Sequence, residues 1–188
     1  MKKIFLSCAL AASVFAAEQF SGKIINLYTS VDAKKAEGKL LPTNAFEIVK
    51  DGDLAELKIK GYYNPNQGNI LYFNDKNRIL VAAFGKNAKV DFKVEKELKN
   101  GFKLASIKVF AKKDELVDLE KSAKPLFEKG KAMFEENCGI CHPLHPVSEF
   151  NANQWPATFK AMETRTGIDK TDRQLVVQYL QKHAKDMK

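Results

Sequence analysis

The sequence predicts an α+β chain in two parts, a small all-β part followed by an all-α part. Three observations carry that expectation. From Ser21 to about Lys113, short apolar runs recur between turn dipeptides, as in a small sandwich or partly open barrel. After Lys113 the spacing changes to a helical repeat, with Leu126, Phe127, Gly130, Met133 and Phe134 interleaved with lysine and glutamate. Within this second part stands Cys138-Gly139-Ile140-Cys141-His142, the only sequence in the chain where two thiols and an imidazole lie side by side.

The elements follow in order. Met1-Lys2-Lys3 is a basic head, and an apolar run continues from Ile4 to Ala17 with small residues around Val14-Phe15-Ala16. The run is too short to span a bilayer and reads as a cleavable Sec-type leader ending at Ala16 or Ala17. Cys8 has too few apolar residues before it for a lipoprotein signal. Export to the periplasm, with no membrane span left after cleavage, is the expectation, and it leaves Cys138 and Cys141 as the two cysteines of the mature chain. Ile24-Ile25-Asn26-Leu27-Tyr28 reads as a first strand. Ala45–Lys50 and Leu54–Lys60 flank Asp51-Gly52, and Val90–Val94 and Phe102–Phe110 flank Asn100-Gly101, both hairpin signals. Between them, Ile70–Phe73 and Arg78–Phe84 read as strands, the latter continuous enough to be buried. This β part has no histidine or cysteine, and its carboxylates (Asp51, Asp53, Glu56, Asp91, Glu95, Glu97) sit at turns or on the polar alternation. Tyr28, Tyr62, Tyr63 and Tyr72 read as the rim of a β core, so the part is a scaffold or docking module.

Residues 114–124 read as a linker, closed by Pro125, which opens a helix running to Cys138. Cys-x-x-Cys-His is the attachment signature of a c-type haem. The thiols add across two vinyl groups of one ring, and the next residue, His142, supplies the proximal nitrogen. A thioredoxin-type dithiol would want a βαβ setting, and a zinc site further Cys or His at ligand spacing, and neither is present. With about 70 residues in this part, a covalently held haem would supply missing apolar volume. Phe127 or Phe134 would pack on its edge, and Thr171-Asp172-Arg173-Gln174 reads as a capping box opening a last helix with Leu175, Val176, Tyr179 and Leu180 on one face. The expected architecture of 125–188 is therefore an all-α, class I-like monohaem cytochrome c domain.

The second axial ligand decides the chemistry. Met162 lies 20 residues beyond His142, enough chain to reach the other face of the ring. Met133 more naturally packs, His145 is too close to His142 to cross the ring, and His183 and Met187 lie near the chain end. Thioether ligation by Met162 would favour ferrous iron and raise the potential relative to two histidines. Six-coordinate iron has no open position, which points to electron transfer rather than enzymatic catalysis.

Asn153-Gln154-Trp155-Pro156 followed by Lys160-Ala161-Met162-Glu163-Thr164-Arg165-Thr166, just after Cys-x-x-Cys-His, resembles the C-terminal monohaem region of the Tor-type pentahaem cytochromes. The β part, with its Leu27-Tyr28 start and Gly38-Lys39-Leu40-Leu41-Pro42 step, is similar to the region before that haem and implies SH3-like modules in 18–113. The resemblance implies one covalent haem c held by Cys138 and Cys141, with His142 proximal and Met162 distal. It also implies Trp155 near the haem edge and Arg165 facing a propionate. The implied role is electron donation to a periplasmic molybdenum-containing reductase of trimethylamine N-oxide or related S- and N-oxides. The family's membrane-anchored tetrahaem half has no counterpart here; a leader (1–17) stands in its place, and the upstream donor is left open.

Composition narrows the classes. Removing Lys2 and Lys3 lowers the formal net charge from +8 to +6, with lysines dispersed and no arginine cluster, so nucleic acid is not an expected partner. A redox partner with an acidic face would be attracted in a salt-sensitive way. Two other readings stay open from the residues alone: a haem enzyme or gas sensor with an open distal position, and a haem-bearing structural subunit of a reductase complex.

Overall fold

A computed structural model describes residues 17–140 and 143–187. The expected leader up to Ala16, and Cys141 and His142, lie outside the described residues. Nine strands form one sheet: β1 (Glu18–Phe20), β2 (Ile25–Leu27), β3 (Gly38–Leu40), β4 (Ala45–Lys50), β5 (Leu54–Tyr63), β6 (Ile70–Tyr72), β7 (Leu80–Phe84), β8 (Lys93–Glu97) and β9 (Lys103–Lys112). Three short helices follow, α1 (Lys124–Cys138), α2 (Trp155–Met162) and α3 (Arg173–Lys182). None of the described helices is long and apolar enough to cross a membrane.

β5 organises the sheet. Its alternation puts Ala55, Leu57 and Ile59 into the core and Glu56, Lys58 and Lys60 outward. One edge pairs along all ten residues with β9, from Leu54↔Lys112 to Tyr63↔Lys103. The other edge is shared, β4 pairing with its first half and β6 with its end. The path then runs β6-β7-β3-β2, and a bridge from Tyr28 to Phe110 returns to β9, curling the sheet into a half-barrel. Gly38 in β3 lies opposite Phe84 of β7, whose ring occupies the space a side chain would need. β8 is an exposed edge and Val94 in it is 41% exposed, whereas Val90 and Phe92, which precede it, pack against the sheet's core.

The expected architecture, an SH3-like β domain followed by an all-α class I-like cytochrome c domain, is not what the chain forms. The structure is mostly β, with three short helices laid against one half-barrel sheet. The physical reason lies in the helices' core. Trp155, Phe159, Val176, Val177 and Leu180 are buried together with Ile79, which the sheet contributes and which is fully buried. Gln178 Nε2 donates to the Leu80 carbonyl at 3.1 Å, binding α3 to β7. Residues 114–123 are also fastened down: the Asn26 N–H donates to the Glu115 carboxylate at 2.7 Å, and Phe20 and Glu120 form a two-way backbone bridge.

The helices cross closely. A Cβ on Gly130 of α1 would lie 2.9 Å from Tyr179 Cβ of α3, so the absence of a side chain at 130 sets that approach. The capping box at Thr171 does not form: α3 begins at Arg173, its N-cap Asp172 makes no side-chain cap, and the Asp172 carboxylate meets Lys129 at 3.4 Å instead.

Candidate haem site

α1 ends at Cys138, where the Gly139 N–H returns to the Glu135 carbonyl at 3.4 Å. Asn137, one residue earlier, ties this end down twice. Its Nδ2 donates to the Met133 carbonyl at 2.9 Å, and its Oδ1 accepts the Gly167 N–H at 3.0 Å. The end of α1 is thus joined to the chain that follows α2. Cys138 itself is half-buried, and burial pushes its thiol above the ordinary range.

α2 opens at Trp155, with Pro156 in its first turn, where a missing N–H costs nothing. Trp155 is 2% exposed. Its Nε1 donates to the Val147 carbonyl at 3.0 Å, and Phe134 and Phe150 meet its ring edge-to-face at 5.9 and 5.0 Å. Trp155→Ala should destabilise the fold by about 3–5 kcal/mol through the cavity it opens. Trp155→Phe, which orphans the Val147 carbonyl, should cost about 1 kcal/mol. Denaturant unfolding of the three proteins checks the ranking.

Between α1, α2 and α3 lies a largely apolar cavity of about 410 Å³. Cys138 and Phe134 enter it from α1, Trp155, Phe159 and Met162 from α2, and Leu180 from α3. Leu144 and His145 contribute from the loop after the attachment motif, and Arg165 and Thr166 from the turn after α2. Four of the six residues singled out in the sequence, Cys138, Met162, Trp155 and Arg165, therefore line one space; the other two, Cys141 and His142, lie outside the described residues. Arg165 is exposed at its rim, while Glu163, two residues earlier, pairs with Arg173 at 3.5 Å.

The other ligands weighed from the sequence fall elsewhere. His183 packs against Phe127 and Tyr179, its Nδ1 2.8 Å from the Tyr179 carbonyl, in a groove with Lys124, Glu128 and Lys131 rather than in the cavity. Met133 packs in the helical core, and the Met187 sulfur accepts from Asn77 Nδ2 at 3.0 Å. Phe127 lies on that other face too, so of the two α1 phenylalanines Phe134 is the one at the cavity. His145 does line it, with Nδ1 2.8 Å from the Glu149 carboxylate. Sequence reasoning missed Asn137, which carries no pattern of its own, and Leu180, whose helical face was legible but not its destination.

A thiol, a thioether, stacked aromatics and a rim guanidinium around one apolar space suit a large, flat, apolar cofactor with acidic substituents, and the attachment motif names it: the class is c-type cytochrome. A family model described as the TorC third cytochrome c domain matches residues 15–116. The chain belongs to the TorC cytochrome c family. Cytochrome c-type protein TorC of Escherichia coli is 26% identical over 174 residues, covering 89% of this chain and 44% of its own length. Cytochrome c-type protein TorY of Haemophilus influenzae is 24% identical over 160 residues, covering 82% and 43%. The chain thus spans less than half the length of these relatives. No solved structure matches. The matched residues 15–116 contain no cysteine or histidine, so the haem-attaching residues lie beyond them. A match over 89% of a 188-residue chain cannot leave out 138–142. Membership implies covalent haem c.

Proposed function

We propose that this chain is a monohaem c-type electron carrier of the periplasm that delivers electrons to a molybdenum-containing reductase of trimethylamine N-oxide or related oxides. One observation carries the reading: Cys138, Met162, Trp155 and Arg165, spread over three successive segments, line a single apolar cavity. Cys138 and Cys141 would hold the haem by thioethers, and His142 and Met162 would offer its iron a nitrogen and a sulfur donor. Trp155 closes the edge and Arg165 neutralises a propionate. Haem held this way supplies one-electron chemistry. Phe134, Trp155, Phe159 and Leu180 would give it an apolar wall. Residues 1–17 serve as the export leader, 18–113 as the docking scaffold, 114–124 as the connection and 125–188 as the haem-bearing part.

Charge supports a docking role for the sheet. Residues 18–113 hold 18 basic against 11 acidic residues, whereas 114–188 hold 11 against 12. An acidic partner is drawn to the sheet side, with association that weakens as salt rises.

The exported protein should give a low-spin ferric spectrum carrying the weak long-wavelength band of sulfur on iron. Once reduced, it should be reoxidised by such a reductase only when the oxide is present. A high-spin spectrum, or no reoxidation, overturns the reading.

A further inference from the structure

We propose, resting on the haem reading above, that Lys182 couples a proton to the redox state of the haem: its charged ammonium favours the added electron, and loss of its proton withdraws that support. The electron comes from a one-electron reductant and the proton from bulk water, which Lys182 Nζ binds more tightly when the iron is ferrous.

Lys182 closes α3 and reaches across to the loop between β3 and β4. Its Nζ is 2.8 Å from Asn44 Oδ1, 3.0 Å from the Thr43 carbonyl and 3.0 Å from Thr43 Oγ1. The ammonium also sits 4.4 Å over the Phe73 ring. Every partner is neutral. The receiving end is built for the task. Asn44 Nδ2 donates to the carbonyls of Leu41, Pro42 and Leu80, which fixes its Oδ1 toward the lysine. Thr43 is held at φ 63°, a left-handed conformation costly for a β-branched residue. Strained backbone of this kind clusters at clamps and switch regions.

The groove around Lys182 also takes Glu18 from β1, Glu47 from β4, Lys58, Lys60 and Tyr62 from β5, and Tyr72 from β6. From α1 it takes Phe127, which carries no charge. On α3 and just beyond it, Tyr179, His183, Lys185 and Asp186 are the titratable neighbours in sequence. None of the ion pairs among the described residues joins Lys182 to a carboxylate. Burial pulls its amine down to about 7, within reach of ordinary changes in pH.

The link to the cavity is α3 itself. Leu180, two residues before Lys182, lines the cavity. Two residues turn a helix by roughly 200°, so cavity and clamp lie on opposite sides of one helix, roughly 10 Å across. A charge held in a poorly solvated place is felt over that distance far more than one in water.

The test is potentiometry of the haem-loaded chain at a series of pH values on either side of 7. Covalent haem content and the sulfur–iron band are measured first; their failure sinks the haem reading and the coupling with it, whereas a loaded protein that fails only the pH series sinks the coupling alone. In the native protein the midpoint potential should fall as pH rises through 7, with several-fold tighter proton binding in the ferrous form. In Lys182→Met the potential should lie below the native acid-side value and be flat near 7. In Lys182→Arg, which keeps the charge but does not titrate, it should be flat and high. A native potential that does not move, or a slope that persists in Lys182→Met, overturns the proposal and assigns any slope to other groups. Should Lys182→Met fail to fold, the arginine variant decides alone, and a slope unchanged there is equally fatal.

Discussion

Met162→Ala should lose the long-wavelength ferric band and drop in potential, on the order of 0.1 V within the roughly 0.8 V that axial ligands command, while keeping its covalent haem. Met162 closes α2 and lines the same cavity that Cys138 enters from α1. Its backbone is held by the helix before it and the turn of Glu163–Arg165 after it, so the thioether is presented by a fixed element rather than a loose loop. Met162→Leu separates ligation from packing. Leucine restores apolar volume without sulfur, so stability should recover toward native while band and potential do not. Absorbance, potentiometry and thermal melts of the two variants suffice, and a band that survives in either removes Met162 as the ligand.

Replacing Cys138 and Cys141 together by alanine should abolish covalent haem, read as loss of haem staining after denaturing electrophoresis. The helices should lose about 3 kcal/mol or more, comparable to removing a large core side chain, because a cavity of 410 Å³ loses its filler. The loss should not be uniform. Amides of α1, α2 and α3 should exchange faster, whereas those along the β5–β9 pairing should keep their protection, since that core is closed by its own residues. Either single variant should retain one thioether and an intermediate stability. Covalent haem on the double variant would overturn the attachment assignment.

The parts of this structure legible in the sequence are those written locally. Asp51-Gly52 and Asn100-Gly101 do turn hairpins, between β4 and β5 and between β8 and β9. The helical repeat ending at Cys138 does form α1. β1 and β3 escaped notice because, unlike the equally short β2 and β6, they do not sit within an apolar run. The capping box at Thr171 misled because Asp172, free in a linear reading, is drawn to Lys129 on another helix. The expected SH3-like domain followed by an all-α cytochrome c domain failed for the same kind of reason: Ile79, Gln178 and Lys182 join sheet to helices over long stretches of chain, and nothing near them in sequence marks the join. At the site, residue types pointed to the chemistry through one short motif. That Phe134 rather than Phe127 lines the cavity, and that His183 does not, depends on how α1 and α3 rotate about Gly130, which only packing decides.

The pairing of β5 with β9, and of Phe20 with Glu120, also sets an order of events when the chain first folds. These contacts join residues far apart in sequence and are slow to find, while α1 and α3 can form locally and early. The helices cannot seat until Ile79 and Leu80 are in place to receive them. During that interval the thiol at the end of α1 has no finished wall around it. Slow closure of the sheet should therefore leave Cys138 open to thiol reagents early in refolding and shielded once the cavity takes its final shape.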